Sequence, residues 1–419
     1  MSKIKEVRAR EILDSRGNPA LEVDLYTDHG LFRASVPSGL SKGSHEAIEL
    51  RDNNKARYSG MGVKNAVKIV NEELSHKLIG KDVTNQKKID ELLCDLAGKQ
   101  KAKLGGNVTL GVSIAVAKSA AFSIGLPFFE YIALEAERDF HTIPKPLFNV
   151  INGGRHIGRK DDVQEHMLVP TNAKSFSHAL QMTVETFHAL GEILESKFGF
   201  QGRLTGDEGG YAPPLNEISE RFNYMEKALE EKGYKKNFKF AVDCAASEFY
   251  NKKSKSYKLN GKSYTQQKLL DYYQDLVKSY PLMSIEDGYA EDDLSSWTNM
   301  TKTLGKKIMI IGDDLLVTNP QRIRQAAGTK ACNALLLKPN QIGTVTESID
   351  AAKIAYDYKW NVIVSHRSGE TEDTFIADMA VGLKAGYCKF GAPARGERVA
   401  KYNQLLRIEE DIQNAKYGL

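Results

Sequence analysis

The chain has 419 residues, 41% hydrophobic and 27% charged, the make-up of a globular protein with too much chain for one ordinary core. Its 58 basic and 54 acidic residues leave a net charge of +4, too small a field to argue for nucleic acid or an anionic membrane as partner. Cys94, Cys244, Cys332 and Cys388 are widely spaced and form no CxxC pair, so they read as reduced, mostly buried thiols of a cytoplasmic protein.

The opening MSKIKEVRAREILD lacks the apolar core of a signal peptide. IKEVRAREILD, ALEVDLYT and LFRASV alternate enough to predict an antiparallel sheet. VPSGLSKGSHEA carries Gly39 and Gly43 around Ser41; it is either an ordinary connection or a loop that closes over a site. Ala66, Val67, Val70, Leu74 and Leu78 recur at helical spacing. LGVSIAVAKSAAFSIGLPFF is nearly all apolar but carries Lys118 and serines, which favours a buried helix over a membrane span. Strands followed by helices predict an α+β capping domain over residues 1–140.

From residue 141 the rhythm changes. PLFNVI, HMLVP, FKFAV, LMSI, IMII, ALLL, NVIV and YCKF are short apolar runs separated by helical patterns such as Ile218 to Lys232. Eight such runs close an α/β barrel. A doubly wound sheet is the alternative, but INGGRH lacks its glycine-rich phosphate turn.

The residues just past the apolar runs carry the chemistry. Asp243, Glu286 and Asp313 come directly after or close behind three successive strands, and a barrel brings such positions to its C-terminal mouth. Three carboxylates there repel one another unless a cation lies between them. Oxygen donors alone favour Mg²⁺ first and Mn²⁺ next. Lys338 follows three leucines; beside cations a lysine is pushed toward its neutral form and becomes a usable base. Lys389 is a second such lysine or an anion holder. In SHRSGETED, Arg367 grips phosphate oxygens in pairs and Ser368 adds a hydroxyl. TGDEGGYAPP presents Asp207 and Glu208 between glycines, as a plain turn or as carboxylates close to a ligand. The stretch around His156, Gln164 and Glu165 is ambiguous by itself.

The ordered series LDSRGNP, VPSG, LGVSIAVAK, INGG, GDEGG, DCAASEFY, SIEDG, GDDLLVTNP, LLLKPNQIGT, VSHRSGETEDTFIAD and KFGAPARGER spans nearly the whole chain and resembles the enolase family, the dehydratases of 2-phosphoglycerate. The resemblance implies an eight-stranded (β/α) barrel with an α+β cap, one early barrel strand running antiparallel. It implies Mg²⁺, two per active site, with Mn²⁺ as a substitute. Asp243, Glu286 and Asp313 correspond to the ligands of the tight metal, and Ser41 to the serine that helps hold a second. Lys338 corresponds to the base at C2, and Glu208 to the acid that protonates the departing hydroxyl, with Glu165 beside it. His156, Gln164 and His366 line the site, Arg367 and Ser368 hold phosphate, and Lys389 pairs with the substrate carboxylate. A homo-oligomer, dimer or higher, is also implied. Leu40 and Lys42, the HIGRKDD stretch, Met61, Pro339 and Gly396 depart from the family pattern, so an alternative is a paralogue that dehydrates a related phosphorylated or phosphonate acid.

Overall fold

Alternation of apolar and polar residues near the N-terminus produces one antiparallel sheet. Its strands are Glu6–Leu13, Pro19–Thr27 and Gly30–Ser35, paired in that order. Leu21, Val23 and Leu25 point to one face of the central strand and are buried, as a two-residue period requires. Helix Gly106–Ser123 covers that face. It lies so close that a Cβ added at Gly111 would stand 2.8 Å from Val23 Cγ2. The chain then bends by 101° into Phe128–Ala136, and among the described residues no single helix is long and apolar enough to cross a membrane. The computed structural model describes residues 2–39 and 43–419.

The helix expected around Ala66 to Leu78 is present but not uniform. A π-helical turn, Ile69–Leu74, interrupts it between Lys64–Lys68 and Ser75–Leu78. The turn carries Asn71 to the sheet edge, where its amide accepts from Ala9 N at 2.6 Å and donates to Ala9 O at 3.2 Å. An edge strand's free backbone groups are thereby partly covered.

All eight expected barrel strands form and close. In chain order they are Lys145–Asn152, Glu165–Pro170, Phe238–Asp243, Leu282–Glu286, Met309–Gly312, Ala334–Leu337, Asn361–Ser365 and Tyr387–Gly391. The second is antiparallel to both neighbours, and the remaining pairs are parallel. Its reversal places its first residue, Glu165, opposite Asn152 and Asp243, the last residues of the strands on either side. A carboxylate at the start of a strand thus arrives at the mouth where the other strands end. Inside, Leu147, Met167, Ala241, Ile311, Leu336 and Ile363 pack as one buried cluster, a filled core rather than a pore.

Cap and barrel meet at that mouth. Ser38 N donates to Gly369 O at 2.8 Å and Gly369 N to Ser38 O at 2.9 Å. Ser15 N donates to Glu370 O at 2.8 Å, and Glu370 N returns to Ser15 Oγ at 3.1 Å. Only glycine fits at 369, because a Cβ there would lie 2.5 Å from Asp14 Oδ2 and 2.7 Å from Ser38 O.

Candidate active site

The strand ends gather acids and lysines on one cavity. Its lining includes Gly39 of the cap, with His156, Gln164, Glu165, Glu208, Asp243, Lys338, Ser365, His366, Arg367, Ser368 and Lys389. The free space is only about 20 Å³, room for about one water. Of the residues singled out in the sequence, Glu286 and Asp313 border this set through Lys389 and Lys338. Ser41, Leu40 and Lys42 lie outside the described residues.

Lys389, at 2% exposure, is the hub of the acids. Its Nζ donates to Glu286 Oε1 and Oε2 at 2.9 and 3.0 Å and to Asp243 Oδ2 at 3.3 Å. Glu165 Oε2 is 3.2 Å away. Burial opposes its charge, yet Glu165, Glu286 and Asp243 outweigh burial and raise Lys389 well above the ordinary lysine value. Glu286 itself is pushed well up, first by burial and then by Asp243. Gln164 adds a donor to Asp243 Oδ2 at 3.2 Å.

Asp313 turns toward a different partner, pairing with Lys338 Nζ, and Gln341 Nε2 donates to its Oδ1 at 2.8 Å. Asp243, Glu286 and Asp313 therefore share the mouth without forming a group as tight as two others among the described residues. Those are His156–Glu165–Glu208 and Asp287–Asp313–Asp314, whose ligand atoms lie within 4.8 Å of one another. The physical reason is the pair of lysines, each drawing carboxylates to itself. Asp287 sets the position of Asp313: its two oxygens accept from Asp313 N and Asp314 N, both at 2.9 Å, from a left-handed backbone at φ 44°. Two opposing influences act on the charge of Lys338. Burial lowers it, but Asp313 more than compensates and its value is raised.

The second acid group contains the expected proton donor. Glu208 Oε2 accepts from Asn149 Nδ2 at 2.9 Å, while Oε1 lies 3.2 Å from His366 Nε2 and 3.7 Å from His156 Nε2. Arg398 Nη1 donates to His366 Nδ1 at 2.7 Å, and Asn152 Nδ2 donates to His156 Nδ1 at 3.1 Å. An arginine has only donors, so His366 carries its proton on Nε2, facing Glu208. Burial holds His366 down to about 4 and lowers His156 as well. Burial and the charge of Glu208 raise Glu165 well above the carboxylate range. Burial also raises Glu208, but the two imidazoles outweigh it and the net direction is down. The two carboxyls are thus pulled in opposite directions, Glu165 up and Glu208 down.

Arg367, at 4% exposure, reaches the cavity from the loop after the seventh barrel strand. Its Nη1 donates to Glu46 Oε2 at 3.0 Å and to Asn340 Oδ1 at 2.7 Å, and Nη2 to Glu46 Oε1 at 3.1 Å. Arg398, fully buried, holds the same loop by donating to Arg367 O at 2.6 Å and Ser368 O at 2.7 Å. Glu46, Asn149, Gln341 and Arg398 escaped sequence reasoning, while Asp287 is visible there as the acid beside Glu286 at a strand end but without a role. Arg398 left one faint trace: with Lys401, Leu405 and Ile408 it shares the buried face of helix Gly396–Asp411, where a cation signals a buried partner.

A closed α/β barrel under an α+β cap, with acids, lysines and an arginine around one cavity at its mouth, defines a capped-barrel acid–base enzyme. Residues 4–132 match the model of the N-terminal domain of enolase, and residues 140–418 match that of its C-terminal TIM barrel domain. The enolase of Thermococcus gammatolerans is 51% identical over 414 residues, 98% of this chain and 95% of the relative. Those of Methanopyrus kandleri and Mastigamoeba balamuthi are each 49% identical, over 99% and 100% of this chain and 97% and 98% of the relatives. The chain belongs to the enolase family, and its activity is that family's hydro-lyase activity. With the family comes a divalent metal, for which the mouth has acidic groups.

Proposed function

We propose that Lys338 and the Glu165–Glu208 pair perform the two proton transfers of the reversible dehydration of 2-phosphoglycerate to phosphoenolpyruvate. One observation carries the reading: a single cavity is lined by a lysine, the neighbouring carboxyls of Glu165 and Glu208, and the cations Arg367 and Lys389. Arg367 and Ser368 bind the phosphate, and Lys389 faces the substrate carboxylate. Lys338 takes the proton from C2. The carboxyl pair gives a proton to the hydroxyl leaving C3, with Glu208 as donor and Glu165 as its reservoir. Gln164, His156 and His366 fix the orientation of these groups.

The donor set suits Mg²⁺. Asp243, Glu286 and Asp313 offer only oxygen, and Glu286 is raised by burial and by Asp243, a repulsion that a cation relieves. We assign these three to the tight ion and Ser41 to a second, with Mn²⁺ as a substitute. Bound cations supply charge stabilisation where the substrate carboxylate becomes more negative. The division into a cap at 1–140 and a barrel at 141–419, a dimeric or higher assembly, and a cytoplasmic setting complete the proposal; family resemblance supports the assembly and four free cysteines the setting.

The test follows phosphoenolpyruvate absorbance with 2-phosphoglycerate as substrate, with and without Mg²⁺. Activity should appear with the metal and vanish on exhaustive chelation. Full activity after chelation would remove the metal assignment.

A further inference from the structure

We infer that Glu46 is a positioning residue for anion recognition, fixing the Arg367 guanidinium from outside the cavity. The inference rests on the reading of Arg367 as the phosphate ligand. Arg367 lines the cavity, whereas Glu46 and Asn340 are not among its described lining residues. Glu46 is 8% exposed and engages both terminal nitrogens of the guanidinium, at 3.0 and 3.1 Å. That paired geometry fixes the plane of the fork, which a single contact does not. Asn340 adds a third anchor at 2.7 Å, and its own Nδ2 donates to Pro37 O of the cap at 3.1 Å.

The carboxylate of Glu46 also reaches the acidic side of the mouth. It accepts from Gln341 Nε2 at 3.3 Å, and the same nitrogen donates to Asp313 Oδ1 at 2.8 Å. Gly43 N donates to Glu46 Oε1 at 3.1 Å. One cap residue thus ties the anion-binding arginine to a carboxylate of the proposed metal set. An arginine held this way meets a phosphate already oriented, and the ordering cost of its long side chain falls on folding rather than on binding.

The experiment uses the full-length, Mg²⁺-loaded enzyme, with inorganic phosphate as competitive inhibitor and 2-phosphoglycerate as substrate. Glu46→Gln keeps the shape but loses the charge and one acceptor. Its KM and the inhibition constant of phosphate should both rise about tenfold, the factor carried by one charge-assisted hydrogen bond, while kcat stays within about twofold. In an Arg367→Lys background the same substitution should do nothing further, because its effect runs through the guanidinium. Asn340→Ser should raise both constants in the same direction by about threefold, which keeps the test decisive if Glu46→Gln folds poorly. Phosphate binding that is unchanged or tighter in these variants overturns the inference, as does an undiminished effect in the Arg367→Lys background. If Arg367→Lys alone leaves KM and phosphate inhibition unchanged, the phosphate role of Arg367 fails instead.

Discussion

At the scale of single residues, the two ends of the reaction belong to separate groups, and isotope exchange separates them. Lys338 is held charged by Asp313; once a cation engages Asp313, the lysine loses the carboxylate that raises it and moves toward the free base. Lys338→Ala should therefore abolish exchange of the C2 proton with solvent, followed by NMR in deuterium oxide. Glu208→Gln should stop phosphoenolpyruvate formation yet leave measurable exchange, because the base remains. Exchange that survives loss of Lys338 and disappears with Glu208 would mean that the roles are reversed. Residues at this scale were legible where an apolar strand ends in an ionisable group, as at Asp243, Glu286 and Lys338. Glu46 and Asn149 gave no such signal, because each acts through a partner far along the chain: Arg367 lies 321 positions from Glu46 and Glu208 lies 59 from Asn149.

At the scale of elements, every barrel strand was readable as an apolar run, since strands covered on both faces need no alternation. Direction was not readable from those runs; the reversal of Glu165–Pro170 came from resemblance alone. The π-helical turn at Ile69–Leu74 was likewise invisible, because its apolar residues keep helical spacing. Helix Phe375–Gly382 holds a titratable group that the active site does not use. Asp378 is 5% exposed and pushed up to about 7, chiefly by burial, with Gln404 Nε2 donating to it at 3.1 Å. In the unfolded chain an aspartate titrates near about 3.9. Below that pH both states are protonated and Asp378 has no effect. Between about 4 and 7 the folded state binds more protons than the unfolded state, so stability falls as pH rises; above 7 the loss is complete. Asp378→Asn removes this penalty and retains an acceptor for Gln404. It should raise the unfolding free energy at pH 8 by an amount whose ceiling is about 4 kcal/mol, and should have less effect at pH 5. An equal effect at both pH values would rule out titration as the cause.

At the scale of the whole molecule, cap and barrel are joined by partly buried polar contacts as well as by the mouth. Lys118, the charge that argued against a membrane span, donates to Arg33 O at 2.9 Å and to both oxygens of Asp373 at 2.8 and 2.7 Å. Lys101 Nζ lies 2.8 Å from Glu347. Asp90 crosses from the cap helix Gln86–Ala97 to the first turn of barrel helix Val345–Asp357, where its Oδ2 accepts from Thr346 N at 3.0 Å and Oγ1 at 2.6 Å. A helix start has backbone N–H groups without partners in the helix, and here part of that need is met by the other unit, 256 positions away. No sequence pattern announces such a contact, since neither Asp90 nor Thr346 stands out from its neighbours. The physical consequence is shared cooperativity: when the cap leaves, the barrel loses the partners of partly buried groups. Calorimetry should therefore show one unfolding transition for the chain. Asp90→Ala should lower its midpoint without splitting it, at a cost of about 2 kcal/mol for the donors left unpaired on Thr346. Two resolved transitions in the unsubstituted protein would show that cap and barrel are stable apart, and that the contacts at Asp90, Lys101 and Lys118 add little to their coupling.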